Sequence, residues 1–281
     1  MYRELYRFGG MTFALESDAP LERSPVCEVF HVPDGVPDHT ICLRFSDALP
    51  TPPADALRRD DVFRWQVGAQ RHLLQWVSAP GDIPHFTYAV THGAHTDVIF
   101  ASAYRTGASV STALEAVGLF DVFAARGMLV LHSAYIVTSA GEAILFSGPS
   151  GVGKSTQAAL WERCAGARVV NGDRALVDVG KKTANGIFYA GTSGISENVT
   201  APVRAIVLLG QGSENRVFVP SPQAAFAGVL SQCAYYEWDA RSAEQMTECV
   251  ARLVSDVPVL RMDCLPNATA VEALHDQLGG I

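Results

Sequence analysis

The sequence predicts an α/β protein in which a mixed sheet surrounds a phosphate-binding loop, preceded by a β-rich N-terminal domain. Three observations carry this expectation. Residues 148–155 read Gly-Pro-Ser-Gly-Val-Gly-Lys-Ser, a full match to G-x-x-x-x-G-K-[ST]. The apolar run before that loop is joined to an earlier one by only Thr138-Ser139-Ala140-Gly141, which suits antiparallel pairing and is too short for a parallel crossover. The chain up to roughly residue 105 reads as strands and turns and contains the stiff break Leu49-Pro50-Thr51-Pro52-Pro53.

The bulk numbers set the limits. Of 281 residues, 48% are apolar and 18% charged, enough to build a core and to exclude global disorder. The net charge of -8 argues against nucleic acid as the main partner, because such binding depends on Lys and Arg neutralising phosphates. No apolar stretch approaches the roughly 20 residues of a membrane span. The opening Met1–Arg7 lacks the basic tip and apolar core of a signal peptide, so a cytoplasmic location is expected. Six cysteines stand singly without a C-x-x-C pair, which fits small buried hydrophobes better than zinc or a disulfide framework.

Taken in order, Phe86–Val90 and Val98–Phe100 form a hairpin around Gly93-Ala94. Ser111–Ala125 is helical, with Leu114, Val117 and Phe120 at helical spacing and Gly127 as its stop. Strands follow at Met128–Val137 and Glu142–Ser147. The phosphate loop opens a helix that ends at Ala165-Gly166, and a further strand runs from Arg168 towards Arg174.

In the loop, glycines at 148, 151 and 153 let the backbone wrap around a phosphate chain with its N–H groups turned inward. Pro149, Ser150, Val152 and Thr156 complete the wrap. Lys154 supplies a cation for the terminal phosphates, and the Ser155 hydroxyl is a Mg²⁺ ligand candidate. The helix beginning here adds its positive end. Asp173 comes 19 residues after Lys154, close in sequence for an acidic partner.

Together, His132-Ser133-Ala134-Tyr135, Gly148–Thr156 and Val170-Asn171-Gly172-Asp173-Arg174 resemble the catalytic domain of HPr serine kinase/phosphorylases. They are still more similar to the HPr-kinase-like proteins found with ribosomal-peptide clusters. The resemblance covers roughly residues 110–281 and implies the fold shared with phosphoenolpyruvate carboxykinases. It also implies Asp173 as proton acceptor from a substrate hydroxyl, His132 as an active-site histidine, Lys154 on the phosphates, and ATP with Mg²⁺ as cosubstrate and metal. Two departures stand out: Gly172 replaces the first of two adjacent acids, and Thr156 follows the loop serine where the bifunctional enzymes commonly have Glu. Glu197 is the candidate for a downstream metal-binding glutamate, and Asp178 is a rival acid.

The expected organisation is therefore a β-rich domain over 1–110 and a catalytic domain over 111–281. The expected activity is an ATP- and Mg²⁺-dependent kinase acting on a hydroxyl, in Ser/Thr of a peptide or protein. A small-molecule kinase and a non-catalytic nucleotide-binding regulatory module are the alternatives. Neither nucleic acid nor membrane is expected as partner, and homo-oligomerisation stays open. The serine-rich Thr192–Ser196 reads as a mobile lid. His92, His95 and Asp97 read as exposed residues around a hairpin turn, without a third spaced ligand for zinc.

Overall fold

The structure, a computed structural model, describes residues 1–48, 50–77 and 85–279. The chain divides into two compact units, Met1–Leu119 and Phe120–Ile281. Leu49, where the proline-rich break begins, lies outside the described residues, and positions 50–53 belong to no helix or strand.

Among the described residues, the first unit holds a nine-stranded sheet. Its strands are β1 (Tyr2–Phe8), β2 (Met11–Ser17), β3 (His31–Val32), β4 (His39–Phe45), β5 (Leu57–Arg59), β6 (Val62–Val67), β7 (Gln70–Val77), β8 (His85–His92) and β9 (His95–Phe100). They lie in the order β3-β1-β2-β4-β9-β8-β7-β6-β5. The β2–β4 and β4–β9 contacts are parallel, so the sheet is mixed. The expected hairpin is present: β8 and β9 run antiparallel with His92 opposite His95, and Gly93 turns at φ +57. Phe8 and Phe13 stack at 4.6 Å within this unit's core, and Phe30 meets Phe8 edge-on. Short helix α1 (Pro25–Glu28) precedes β3.

The single helix expected over Ser111–Ala125 is instead two, α2 (Val110–Ala116) and α3 (Leu119–Ala124). Ser109 caps α2, its hydroxyl accepting from the Thr112 N–H. Gly118, at φ +65, sits in the left-handed region that ends a helix, which the apolar spacing alone does not reveal. Leu114 and Val117 are buried as that spacing predicts.

The second unit contains β10 (Met128–Val137), β11 (Ala143–Ser147), α4 (Lys154–Ala165), β12 (Arg168–Asn171), β13 (Arg174–Asp178), β14 (Thr183–Asn185), β15 (Thr200–Gln211), β16 (Arg216–Phe218), α5 (Pro222–Leu230), α6 (Ala240–Asp256), β17 (Val259–Cys264) and α7 (Ala268–Gly279). Strands β10 and β11 are antiparallel, Ser133 facing Ser147 and Val137 facing Ala143, as the four-residue connection requires. The order β11-β10-β13-β14-β15 closes on itself because β11 also pairs in parallel with β15. The result is a five-stranded barrel, extended by β17 parallel to β15 and by antiparallel β16.

Strands of this unit are buried on both faces, which is why they read as continuous apolar runs rather than alternating ones. Leu129, Leu131, Tyr135 and Leu145 join one core with Met246, Val250 and Leu253 of α6. Their neighbours Ala134, Ile136, Ile144 and Phe146 join a second core with Leu160 and Trp161 of α4 and Leu274 of α7. Each Leu or Phe so buried contributes about 1.5–3 kcal/mol. Helix α6 shows the complementary logic: Ser242, Met246, Cys249, Val250 and Leu253 share one buried stripe, and Asp239 caps its start. Gly166, at φ +64, ends α4 where the sequence places the stop. Among the described residues, no helix is long and apolar enough to cross a membrane.

Candidate functional site

The barrel connectivity explains how distant residues meet. Strand β10 pairs with β13 up to His132 and with β12 from Tyr135 onward. The tight turn Gly172-Asp173 linking β12 to β13 therefore lies against the middle of β10, where the Ser133 N–H donates to the Asp173 carbonyl at 2.9 Å. On β10's other edge, β11 ends at Ser147, opposite Ser133, and delivers the phosphate loop to the same level. His132, Lys154, Ser155, Thr156 and Asp173 consequently line one cleft of about 290 Å³.

Its charges are arranged around a single carboxylate. Asp173 Oδ1 lies 3.6 Å from His132 Nε2, too long for a hydrogen bond, and Oδ2 lies 3.3 Å from Arg174 Nε. The Arg174 guanidinium also rests on the Tyr189 ring at 5.7 Å, which steadies it. Burial, and then the Lys154 charge, pull the His132 imidazole below its ordinary pKa, so it is neutral at pH 7. Protonating it costs folding stability, so stability rises with pH through the ordinary imidazole range. Burial likewise pulls the Lys154 ammonium below its usual value, with Asp173 opposing the shift. Lys154 is buried and donates to the carbonyls of Gly148 and Pro149 at 2.9 and 3.0 Å, which ties the two ends of the loop together. The loop glycines at 148, 151 and 153 all have positive φ, and α4 starts directly after them at Lys154.

Asn171 was not singled out by the sequence reading, yet it builds the turn that presents Asp173. Fully buried, it accepts from the N–H groups of Asp173 and Arg174 at 2.9 Å each and donates to the Ile187 carbonyl at 2.8 Å. The legible signal was Asn-Gly-Asp between two strands, an Asx-turn pattern. Asn171→Ala is expected to lower stability by roughly 1–3 kcal/mol by stranding buried groups. Thermal unfolding checks this, and an unchanged midpoint would refute it.

The segment expected to be a mobile lid is tied down. Gly172 N–H donates to the Ile195 carbonyl, Ser196 bridges to Asn171, and the Ser193 hydroxyl donates to the Ala190 carbonyl. This packing explains the missing acid. A Cβ on Gly172 would lie 2.3 Å from Ser193 Oγ and 2.6 Å from Ser193 Cβ, and one on Gly191 would lie 2.7 Å from Asp173 Cγ. Gly172→Asp, which restores the second acid, should therefore cost about 1–3 kcal/mol through overpacking. Adding Ser193→Gly should recover most of that loss in a thermal melt; no recovery would place the strain elsewhere.

The other acids lie outside the cleft. Asp178 is at the far end of β13, paired with Lys181 Nζ at 2.9 Å and accepting from the Lys181 N–H. Glu197 pairs with Arg168 at 2.5 Å. Neither lines the cleft as a metal ligand. In the first unit, His95 and Asp97 do gain a third donor that spacing could not reveal, Cys42 from the neighbouring strand. Arg44 already holds Asp97 at 3.2 Å, and burial pushes the Cys42 thiol up to about 11, both of which compete with a metal. The six cysteines are free thiols, Cys27 and Cys249 buried as expected and Cys164 exposed.

No protein-family model and no curated protein matches this chain.

Proposed function

We propose that this chain is an HPr-kinase-like phosphotransferase that moves the γ-phosphoryl group of ATP to a hydroxyl, with Ser/Thr of a peptide or protein as the acceptor class. One observation carries the reading: a loop lysine at a helix N-terminus and a braced carboxylate face each other across one small polar cleft. Loop N–H groups, the α4 terminus and Lys154 would bind the phosphates, with Arg174 adding a cation to the same region. Asp173 would accept the proton of the attacking hydroxyl, its orientation set by Arg174 and by the Asn171 turn. Neutral His132 stands beside Asp173 without neutralising it, leaving the carboxylate basic.

The donor set suits Mg²⁺, because Ser155 and Asp173 offer hard oxygen ligands in the cleft. The metal, bound with ATP through Ser155, would supply charge neutralisation at the β and γ oxygens. Transfer from labelled ATP to serine-containing peptides tests the proposal. A second reading, a nucleotide-binding module without chemistry, draws on the close contact between Gly172 and Ser193 that leaves Asp173 as the lone acid of the cleft. Tight ATP binding with no transfer to any acceptor, and no hydrolysis, would favour that second reading.

A further inference from the structure

Beyond the cleft, a second pocket of about 370 Å³ continues along the phosphate loop. The two share Gly151, Gly153 and Thr156, so a chain of phosphates crossing the loop from Asp173 would lead into it. Its far wall comes from the end of β17 and the residues after it, Cys264, Leu265 and Pro266. That wall is largely apolar, whereas the Asp173 cleft is polar. A flat, weakly polar group attached to the phosphates would fit such a lining.

Gln157 distinguishes this pocket from a generic crevice. It sits in the first turn of α4, three residues after Lys154, and is buried. Its Nε2 donates to Cys264 Sγ at 3.2 Å and to the Leu265 carbonyl at 3.4 Å, which fixes the amide orientation. Its Oε1 is buried and, among the described residues, has no hydrogen-bond partner. A buried acceptor of fixed direction is unfavourable by itself and is relieved by a donor.

Resting on the phosphotransferase reading, we infer that this pocket takes the adenosine end of the nucleotide and that Gln157 Oε1 selects adenine by accepting from its exocyclic amino group. Guanine presents a carbonyl oxygen at the corresponding ring position, which sets acceptor against acceptor. Thr156 and Gly153, common to both pockets, mark where the phosphates give way to the sugar.

The test is equilibrium binding of three Mg²⁺ complexes to the intact chain: ATP, GTP and inorganic tripolyphosphate. ATP is expected to bind at least about tenfold more tightly than GTP, the discrimination one buried acceptor can supply, and tighter than tripolyphosphate. Gln157→Met keeps the side-chain volume and removes the acceptor. It should bring ATP down towards tripolyphosphate while leaving tripolyphosphate binding unchanged, which also reports that the loop is folded. Equal affinity for ATP and tripolyphosphate would overturn the nucleoside pocket and leave the phosphate loop standing. GTP binding as well as ATP, or an unaltered ATP-to-GTP ratio in Gln157→Met, would overturn the role of Gln157. Should the variant misfold, the wild-type ranking decides. Failure of all three ligands to bind would instead refute the phosphotransferase reading itself.

Discussion

Asp173→Asn is expected to cut phosphoryl transfer by roughly 10²–10⁴ while leaving nucleotide affinity nearly unchanged. The amide keeps the size of the carboxylate but cannot accept a proton. The backbone of the turn should survive, because it is held by Asn171 and by the Ser133 N–H rather than by the Asp173 side chain. Loss of the negative charge leaves Lys154 and Arg174 less neutralised, so any change in ATP affinity should be towards tighter binding. Single-turnover transfer from labelled ATP, with calorimetric binding alongside, separates the two quantities. Transfer close to the wild-type rate would make Asp173 structural. Asp178 and Glu197 would be poor replacements, since each is paired with a cation outside the cleft.

Lys154→Ala should have the other large effect, lowering nucleotide affinity by about 10–100-fold, the range for losing hydrogen bonds to a charged group. Transfer should fall further, because the charge on the transferred group grows more dispersed and more dependent on fixed cations as the reaction proceeds. The structure adds a second consequence. Lys154 Nζ joins the Gly148 and Pro149 carbonyls, so its removal also loosens the loop. Lys154→Met, which keeps the buried stem without the charge, separates the contributions. Affinity lost equally in both variants assigns the effect to charge; affinity retained by Lys154→Met assigns it to packing. Unchanged binding and turnover in both would refute the phosphate-loop assignment.

The loop, the antiparallel pair feeding it and the helix leaving it were all legible before any coordinates, since each depends on short-range constraints. Glycines at 148, 151 and 153 report a backbone that must adopt positive φ, and a four-residue connection forbids a parallel crossover. Closure of the barrel was not legible, because the β11–β15 pairing joins segments about 60 residues apart with nothing local to announce it. The same holds for the site's surroundings. His132, Lys154 and Asp173 could be named from motif spacing, but their meeting depends on β10 changing partners from β13 to β12 beside the Asp173 turn. Gly172 read in sequence as a lost acid; in space it is the one residue small enough to let Ser193 pack against the turn. Gln157 read as an ordinary helical residue until burial left its Oε1 without a partner. Local chemistry thus specified the parts that conformational preference alone can impose. Long-range pairing and burial, which no window of sequence contains, set which side chains share a cleft and which polar atoms remain unsatisfied.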